Sequence, residues 1–256
     1  MLTEIIAAYR RSRLGPLVLD ADFASADQWV AGRSWAYPNG GPVNPGDDKL
    51  DHLTADPEFS RGGVFRARRR SDGNWDTGLL TTEGSSDAFE LRAEDVLTAR
   101  VRLPRERGAW PAIWTWRDGG REVDVFEYHP DNPDTLELSN HVRSGGGSRY
   151  LRTAGVGPGA VVDLEVRFGA RSVVWWVNGR RVFADRAGVG RDWHAYLIVN
   201  LSVSAGRWHP VPEPGVSEIS WEVESLTVRR GGPGGWWTRG PVGRLLPAPR
   251  RAPDGG

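Results

Sequence analysis

The sequence predicts an all-β domain, a sandwich or barrel, and three observations carry that prediction. Short alternating or apolar runs recur between Gly, Pro and Asp clusters from Leu17 onward. Helix signal almost vanishes there, and residues 3–12 alone suit one short surface helix. The runs also divide by parity into one apolar and one polar face, as half-buried strands must.

In chain order the predicted strands cover 88–91, 96–103, 112–116, 122–128, 135–142, 161–168, 173–177, 181–183, 196–203 and 219–228. In 96–103, Leu97, Ala99, Val101 and Leu103 oppose Arg100 and Arg102. In 135–142, Leu136, Leu138, Asn140 and Val142 oppose Glu137, Ser139 and His141. Between 173–177 and 181–183 stands Asn178-Gly179, which tolerates positive φ at both central positions and predicts a type I′ hairpin turn. In 196–203, Leu197, Val199, Leu201 and Val203 oppose Asn200 and Ser202. Residues 32–62 are rich in Gly, Pro and Asp and are expected to form long loops.

These readings give an N-terminal helix or extension over 1–17, one β-sandwich domain over 18–230, and a disordered Gly/Pro/Arg-rich tail over 231–256. Trp236 and Trp237 in that tail either fold back onto the domain or do not; the sequence leaves both open. No internal repeat and no second domain boundary is visible.

Composition narrows the partners. Acidic and basic residues balance at 33 each in 256 residues, which points to neither nucleic acid nor an anionic membrane. Cysteine is absent, so disulfides play no part in stability and the redox compartment stays open. The 13 tryptophans against 5 tyrosines serve either core filling or the stacking of sugar rings on indole faces. Glu4 breaks the first apolar run, and Arg10, Arg11 and Arg13 follow it instead of preceding it, so a secretion signal is not expected and a cytoplasmic product is. No stretch approaches the length needed to span a bilayer.

The chemistry centres on Glu122-Val123-Asp124-Val125-Phe126-Glu127. Plain alternation puts Glu122 and Asp124 on one face and drives Glu127 into the core, where an unpaired carboxylate is very costly. A β-bulge near Phe126 returns Glu127 to the face of the other two acids. Retaining glycoside hydrolysis uses such a pair, with carboxyl groups about 5–5.5 Å apart. Alone, the strand fits a solvated edge as well. Just upstream, Gly108-Ala109-Trp110-Pro111-Ala112-Ile113-Trp114-Thr115-Trp116 puts Trp110, Trp114 and Trp116 on one face, which describes a sugar cleft better.

At these residues the chain resembles glycoside hydrolase family 16, the laminarinase-like β-glucanases. The Glu-x-Asp-x-x-Glu strand and the Gly-x-Trp-Pro-Ala-x-Trp segment carry the resemblance. Further matches are Arg100 to Pro104, Trp175 to Gly179, and Tyr196 to Leu201 leading to Gly206-Arg207-Trp208. The resemblance spans roughly residues 18–230 and implies a β-jelly-roll of two antiparallel sheets with substrate across a concave one. It implies Glu122 as nucleophile, Asp124 as its assisting acid and Glu127 as general acid/base. It suggests Trp114 and Trp116 as stacking platforms and His141 as a neighbour of the site. Trp110 and Trp208 are core residues or subsites; Arg100 and Asn200 are polar contacts or structural.

The implied activity is retaining endo-hydrolysis of β-glucan, most of all β-1,3-linked. A lectin-like binding module or a transglycosylase on the same fold is the alternative. The implied partner is a polysaccharide; a monomer that needs no cofactor is expected. A structural calcium is possible in this family, with Asp20, Asp22 and Glu224 as weak candidates, and its members usually act outside the cell. Arg121 stands where the family carries Gly before the nucleophile, and Ala205-Gly206 where it carries a glycine pair.

Overall fold

The computed structural model describes residues 15–118, 120–142 and 147–231. The helix expected over 3–12, Trp236 and Trp237 lie outside the described residues, as does the expected tail from 232 onward.

Among the described residues sixteen strands follow in order: β1 (Leu17–Asp20), β2 (Val30–Ala31), β3 (Asp51–Thr54), β4 (Val64–Arg69), β5 (Trp75–Thr81), β6 (Glu90–Arg92), β7 (Val96–Arg102) and β8 (Ala109–Trp116). Then come β9 (Val123–Tyr128), β10 (Thr135–Asn140), β11 (Ser148–Arg152), β12 (Val161–Phe168), β13 (Val173–Val177), β14 (Arg180–Ala184), β15 (His194–Val203) and β16 (Glu218–Arg229). The fold is a jelly-roll of two layers. One runs β11-β10-β9-β8-β15-β5, the other β4-β16-β7-β12-β13-β14.

The two layers are joined by β5, which changes layers along its length. Leu79 to Thr81 pair with β15, whereas Trp75 to Thr77 pair with β4. Gly78 sits at the change-over, where a Cβ would lie 2.0 Å from the Phe59 carbonyl oxygen, so only glycine admits that approach.

The expected alternation is what builds the core. Leu97, Val101, Val166, Phe168 and Val223 from one layer meet Ile113, Val123, Leu136, Leu138, Leu197 and Leu201 from the other, all buried. Burying such side chains contributes about 1.5–3 kcal/mol each, which is what holds the layers together. The Asn178-Gly179 turn closes β13 on β14 with both residues at positive φ, 49° and 75°.

The loop expectation over 32–62 needs correcting, because β3 forms inside it and pairs in parallel with β5. Asp51-His52-Leu53-Thr54 carries no apolar run. Its strand is specified by what covers it: Leu53 joins Tyr37, Leu79, Ala112, Trp114 and Ile198 in a second, smaller apolar cluster. This cluster lies on the outer side of the β8–β15 layer, so part of that face is roofed by the early loops and part is left open as a cleft.

Candidate active site

The open part of that face is a cleft of about 690 Å³ lined from β8, β9, β10, β15 and the loops before β3 and after β15. Its position depends on an irregularity in β9. Toward β8, Ala112 pairs with Glu127 and Ile113 with Phe126, but Trp114 pairs with Asp124, leaving Val125 unmatched. Toward β10, Val125 and Phe126 together occupy the interval between the Glu137–Glu127 and Ser139–Asp124 pairs. Val125 and Phe126 are thus two successive residues that both enter the core, each fully buried. The bulge is where the sequence requires it, but the residue left unpaired toward β8 is Val125 and not Phe126. The carbonyl of Asp124 is taken by the indole N–H of Trp175, at 3.1 Å from across the core.

The consequence is that Glu122, Asp124 and Glu127 line one cleft. Glu122 stands just ahead of β9 and is tied into the ladder by the His141 amide, which donates to its carbonyl at 2.9 Å. One donor atom each of Glu122, Asp124 and His141 lies within 4.8 Å of the other two. His141 Nε2 is 3.4 Å from Asp124 Oδ2. Glu127 accepts a 2.7 Å hydrogen bond from the Trp110 indole N–H.

The acids differ electrostatically. Burial pushes the Glu122 carboxyl up to about 7, with Asp124 adding to the rise and His141 and Lys49 opposing it. Burial raises Glu127 well above the usual carboxylate range, helped by Asp124 and Glu137 and opposed by Lys49 and the Trp110 hydrogen bond. The hydrogen bond with Asp124 raises His141, and the negative charges of Asp124, Glu122 and Glu137 add to it. Such a set can hold one carboxyl as a proton donor beside another that ionises first.

The aromatic residues separate into roles that parity alone could not assign. Trp110 lines the cleft at 8% exposure, and Trp208 stands over it at 53%, edge-on with centroids 6.4 Å apart. Trp114 also lines the cleft but is largely buried in the second apolar cluster. Its indole N–H donates to Asn200 Oδ1 at 2.8 Å, Asn200 donates to Ser202 Oγ at 2.9 Å, and Ser202 and Tyr37 both donate to Asp51 Oδ2, at 2.7 and 2.6 Å. Asn200 is therefore at the cleft floor inside a buried network. Trp116, expected as a platform, packs against Trp114 outside the cleft, because it lies near the far end of β8 under the early loops.

Arg100 is a correction. It lies on β7 in the opposite layer, paired with Asp163 at 2.7 Å and Glu224 at 3.0 Å, and cannot reach a ligand in the cleft. Arg100 and Arg102 thereby engage Glu224, one of the weak calcium candidates, and among the described residues it forms no metal-ligand cluster with Asp20 and Asp22. His129, Asp131 and His209 do gather at one end of the cleft. There the imidazoles stack at 3.5 Å and 4°, so their in-plane lone pairs run parallel instead of converging on one cation.

Sequence reasoning missed Lys49, Glu137, Tyr150, His129 and His209 as lining residues. Glu137 was legible, since its strand parity matches His141, but its pairing with Glu127 depends on the bulge. Loop residues offered no periodic signal. The Ala205-Gly206 departure has a simple account: only Gly206 has positive φ, at 104°, so position 205 accepts a side chain.

No family model matches the chain. It is 28% identical over 145 residues to endo-1,3-1,4-beta-glycanase EglC of Rhizobium meliloti, covering 51% of this chain and 28% of that protein. It is 28% identical over 214 residues to a beta-glucanase of Rhodothermus marinus, covering 68% of this chain and 70% of that protein. The chain thus spans under a third of the first relative's length and about two thirds of the second's. The X-ray structure of the laminarinase from Rhodothermus marinus superposes with TM-score 0.67 at 21% identity, over 84% of this chain and 97% of that one. SCLam, a non-specific endo-beta-1,3(4)-glucanase from family GH16, superposes with TM-score 0.66 at 20% identity, over 85% and 91%.

Proposed function

We propose that this chain, laminarinase-like in sequence and fold, is a retaining endo-β-glucanase of the glycoside hydrolase family 16 type. The observation that carries the reading is the bulge in β9, which brings Glu122 and Glu127 into one cleft although five residue steps separate them. Two carboxyls on one side of a sugar-sized cleft, one of them hydrogen-bonded and strongly raised, are what covalent glycoside cleavage requires.

Glu122, ionised, attacks the anomeric carbon, and Glu127 gives its proton to the departing glycosidic oxygen. A glycosyl ester on Glu122 results. Glu127, now a carboxylate, takes a proton from water as the water attacks the same carbon and frees Glu122. Asp124 and His141 beside Glu122 orient it, and the His141 charge favours its ionised form. No cofactor takes part in these steps. Trp208, exposed at the cleft, offers indole surface to a pyranose ring, whereas Trp110, covered by Lys49 and His129, holds Glu127.

The substrate is a β-glucan with 1,3-linkages, alone or mixed with 1,4-linkages, as the names of the relatives suggest. The protein acts as a monomer on polysaccharide. No described helix is long and apolar enough to cross a membrane. The test is incubation with laminarin, mixed-linkage glucan, agarose, carrageenan and xyloglucan, reading new reducing ends. Release from laminarin or mixed-linkage glucan, absent in Glu122→Gln, is expected. Turnover of agarose or carrageenan alone overturns the substrate, and turnover of none overturns the reaction.

A further inference from the structure

Among the 33 Lys and Arg residues of this chain a single one is lysine, Lys49. Lysine is ordinarily a surface residue. Here its side chain is only 9% exposed and lines the cleft. Elsewhere the chain places guanidinium wherever it needs a cation. An ammonium differs in being compact and point-like, where guanidinium is a broad planar fork.

The surroundings suit the compact group. Lys49 Nζ lies 4.6 Å from the centre of the Trp110 ring and 5.8 Å from that of Tyr37, with the Asp47 carboxylate as its ion-pair partner. Burial acts against the ammonium, but Asp47, Asp51 and Glu127 more than offset it, so Lys49 is charged. Its backbone bridges Ser204 across the cleft rim. The neighbouring Asp48 carboxylate accepts the amides of Arg207 and Trp208, which fixes the segment to the loop after β15. The indole under Lys49 is the one whose N–H holds Glu127.

We propose that Lys49 is a positioning residue for Glu127: its ammonium clamps the Trp110 ring that fixes the acid/base, and supplies the compensating positive charge among the buried carboxylates. This rests on the glycosidase reading above. Around Glu127, Asp124 on its own strand and Glu137 on β10 oppose its ionisation, whereas Lys49 and the Trp110 N–H favour it. Around Glu122, Asp124 and Asp47 oppose ionisation, and His141 and Lys49 favour it. Packed against Trp110, His129 stays neutral because burial, His209 and Lys49 all depress it. Lys49 therefore acts on both carboxyls at once.

The experiment compares Lys49→Met and Lys49→Arg with wild type in kcat/KM against pH on laminarin. Lys49→Met should lower kcat/KM at pH 7 by tenfold or more and move both limbs of the profile upward, by on the order of one pH unit. The loss should be smaller on an aryl β-glucoside, whose leaving group needs little protonation. Lys49→Arg should return the limbs toward wild type. An activity loss with unmoved limbs, or an unchanged profile, overturns the proposal. Inactivity of the wild type on every glucan sinks the glycosidase reading instead. A second measurement needs no turnover and no Lys49 variant. Reductive methylation with ¹³C-formaldehyde labels this one lysine beside the N-terminal amine. Its signal should show a pH inflection that disappears in Glu127→Gln, and a signal identical in the two proteins overturns the proposal.

Discussion

The indole N–H of Trp175 crosses the core and donates to the carbonyl oxygen of Asp124 at 3.1 Å. That oxygen sits where the bulge interrupts the ladder, so the opposite layer satisfies a group that β8 cannot. A core residue of the opposite layer thereby helps hold β9 in register. Trp175→Phe keeps most of the packing volume and removes the donor. It should cost about 1–3 kcal/mol of stability and lower kcat more than it raises KM, since misplacing the acids affects the transition state. Chemical unfolding and steady-state kinetics together check this; a stability loss with unchanged kcat sinks it.

The roles proposed for the two glutamates predict different substrate dependence. Glu122→Gln should abolish turnover of glucans and aryl glucosides alike, because an amide cannot form the ester. Glu127→Gln should fail on glucans yet retain attack on aryl glucosides with good leaving groups. Wild-type rates on polysaccharide in either variant would remove the assignment.

The pH profile follows from the burial of Glu122. In the proposed mechanism it must be ionised to attack, and its carboxyl is pushed up to about 7, so kcat/KM should fall as pH drops below that value. In the proposed mechanism Glu127 must be protonated to help the leaving group, and burial holds its carboxyl well above the usual carboxylate range, so the alkaline limb should belong to Glu127. In Glu122→Asp or Glu127→Gln tested on aryl glucosides, only the limb belonging to the altered residue should change.

Glu127 also predicts a conflict between activity and stability. Its folded-state pKa lies above the unfolded value, so the folded protein retains a proton that the unfolded chain has lost. Stability then declines as pH rises from about 4.3, the unfolded glutamate value, through the folded one. Glu127→Gln keeps a carbonyl oxygen for Trp110 and removes the charge. Its Tm should exceed that of wild type at pH 8 and match it near pH 4. Equal Tm at both pH values would show that the carboxylate is not under strain.

Trp114 and Trp208 should separate on substitution. Trp208→Ala removes an exposed ring and should weaken laminarin binding with little effect on Tm. Trp114→Ala empties part of the second apolar cluster and orphans Asn200 Oδ1. It should cost about 3–5 kcal/mol, in the range of large-to-small core changes. A calorimetric Tm unchanged in Trp114→Ala would show it to be a wet platform after all.

What the sequence determined by itself was whatever repeats with a short period or sits within one strand. Alternation in Leu97 to Leu103 and Leu197 to Val203 fixed the core faces, because adjacent side chains in a strand must point oppositely. Asn178-Gly179 fixed a turn through its own backbone freedom. The need for a bulge was legible too, because a carboxylate cannot be left unpaired in a core. Tertiary structure decided everything that required knowing who lies opposite. Which residue bulges depends on the ladders of β8 and β10 and on Trp175 beyond them. Arg100 and Asn200 alternate alike in sequence, yet one faces solvent beside Glu224 and the other lies under the cleft, because they belong to different layers. Lys49 stands in a loop with no periodicity, and the pairing of its segment with the end of β15 and the loop after it brings its charge to Glu122 and Glu127.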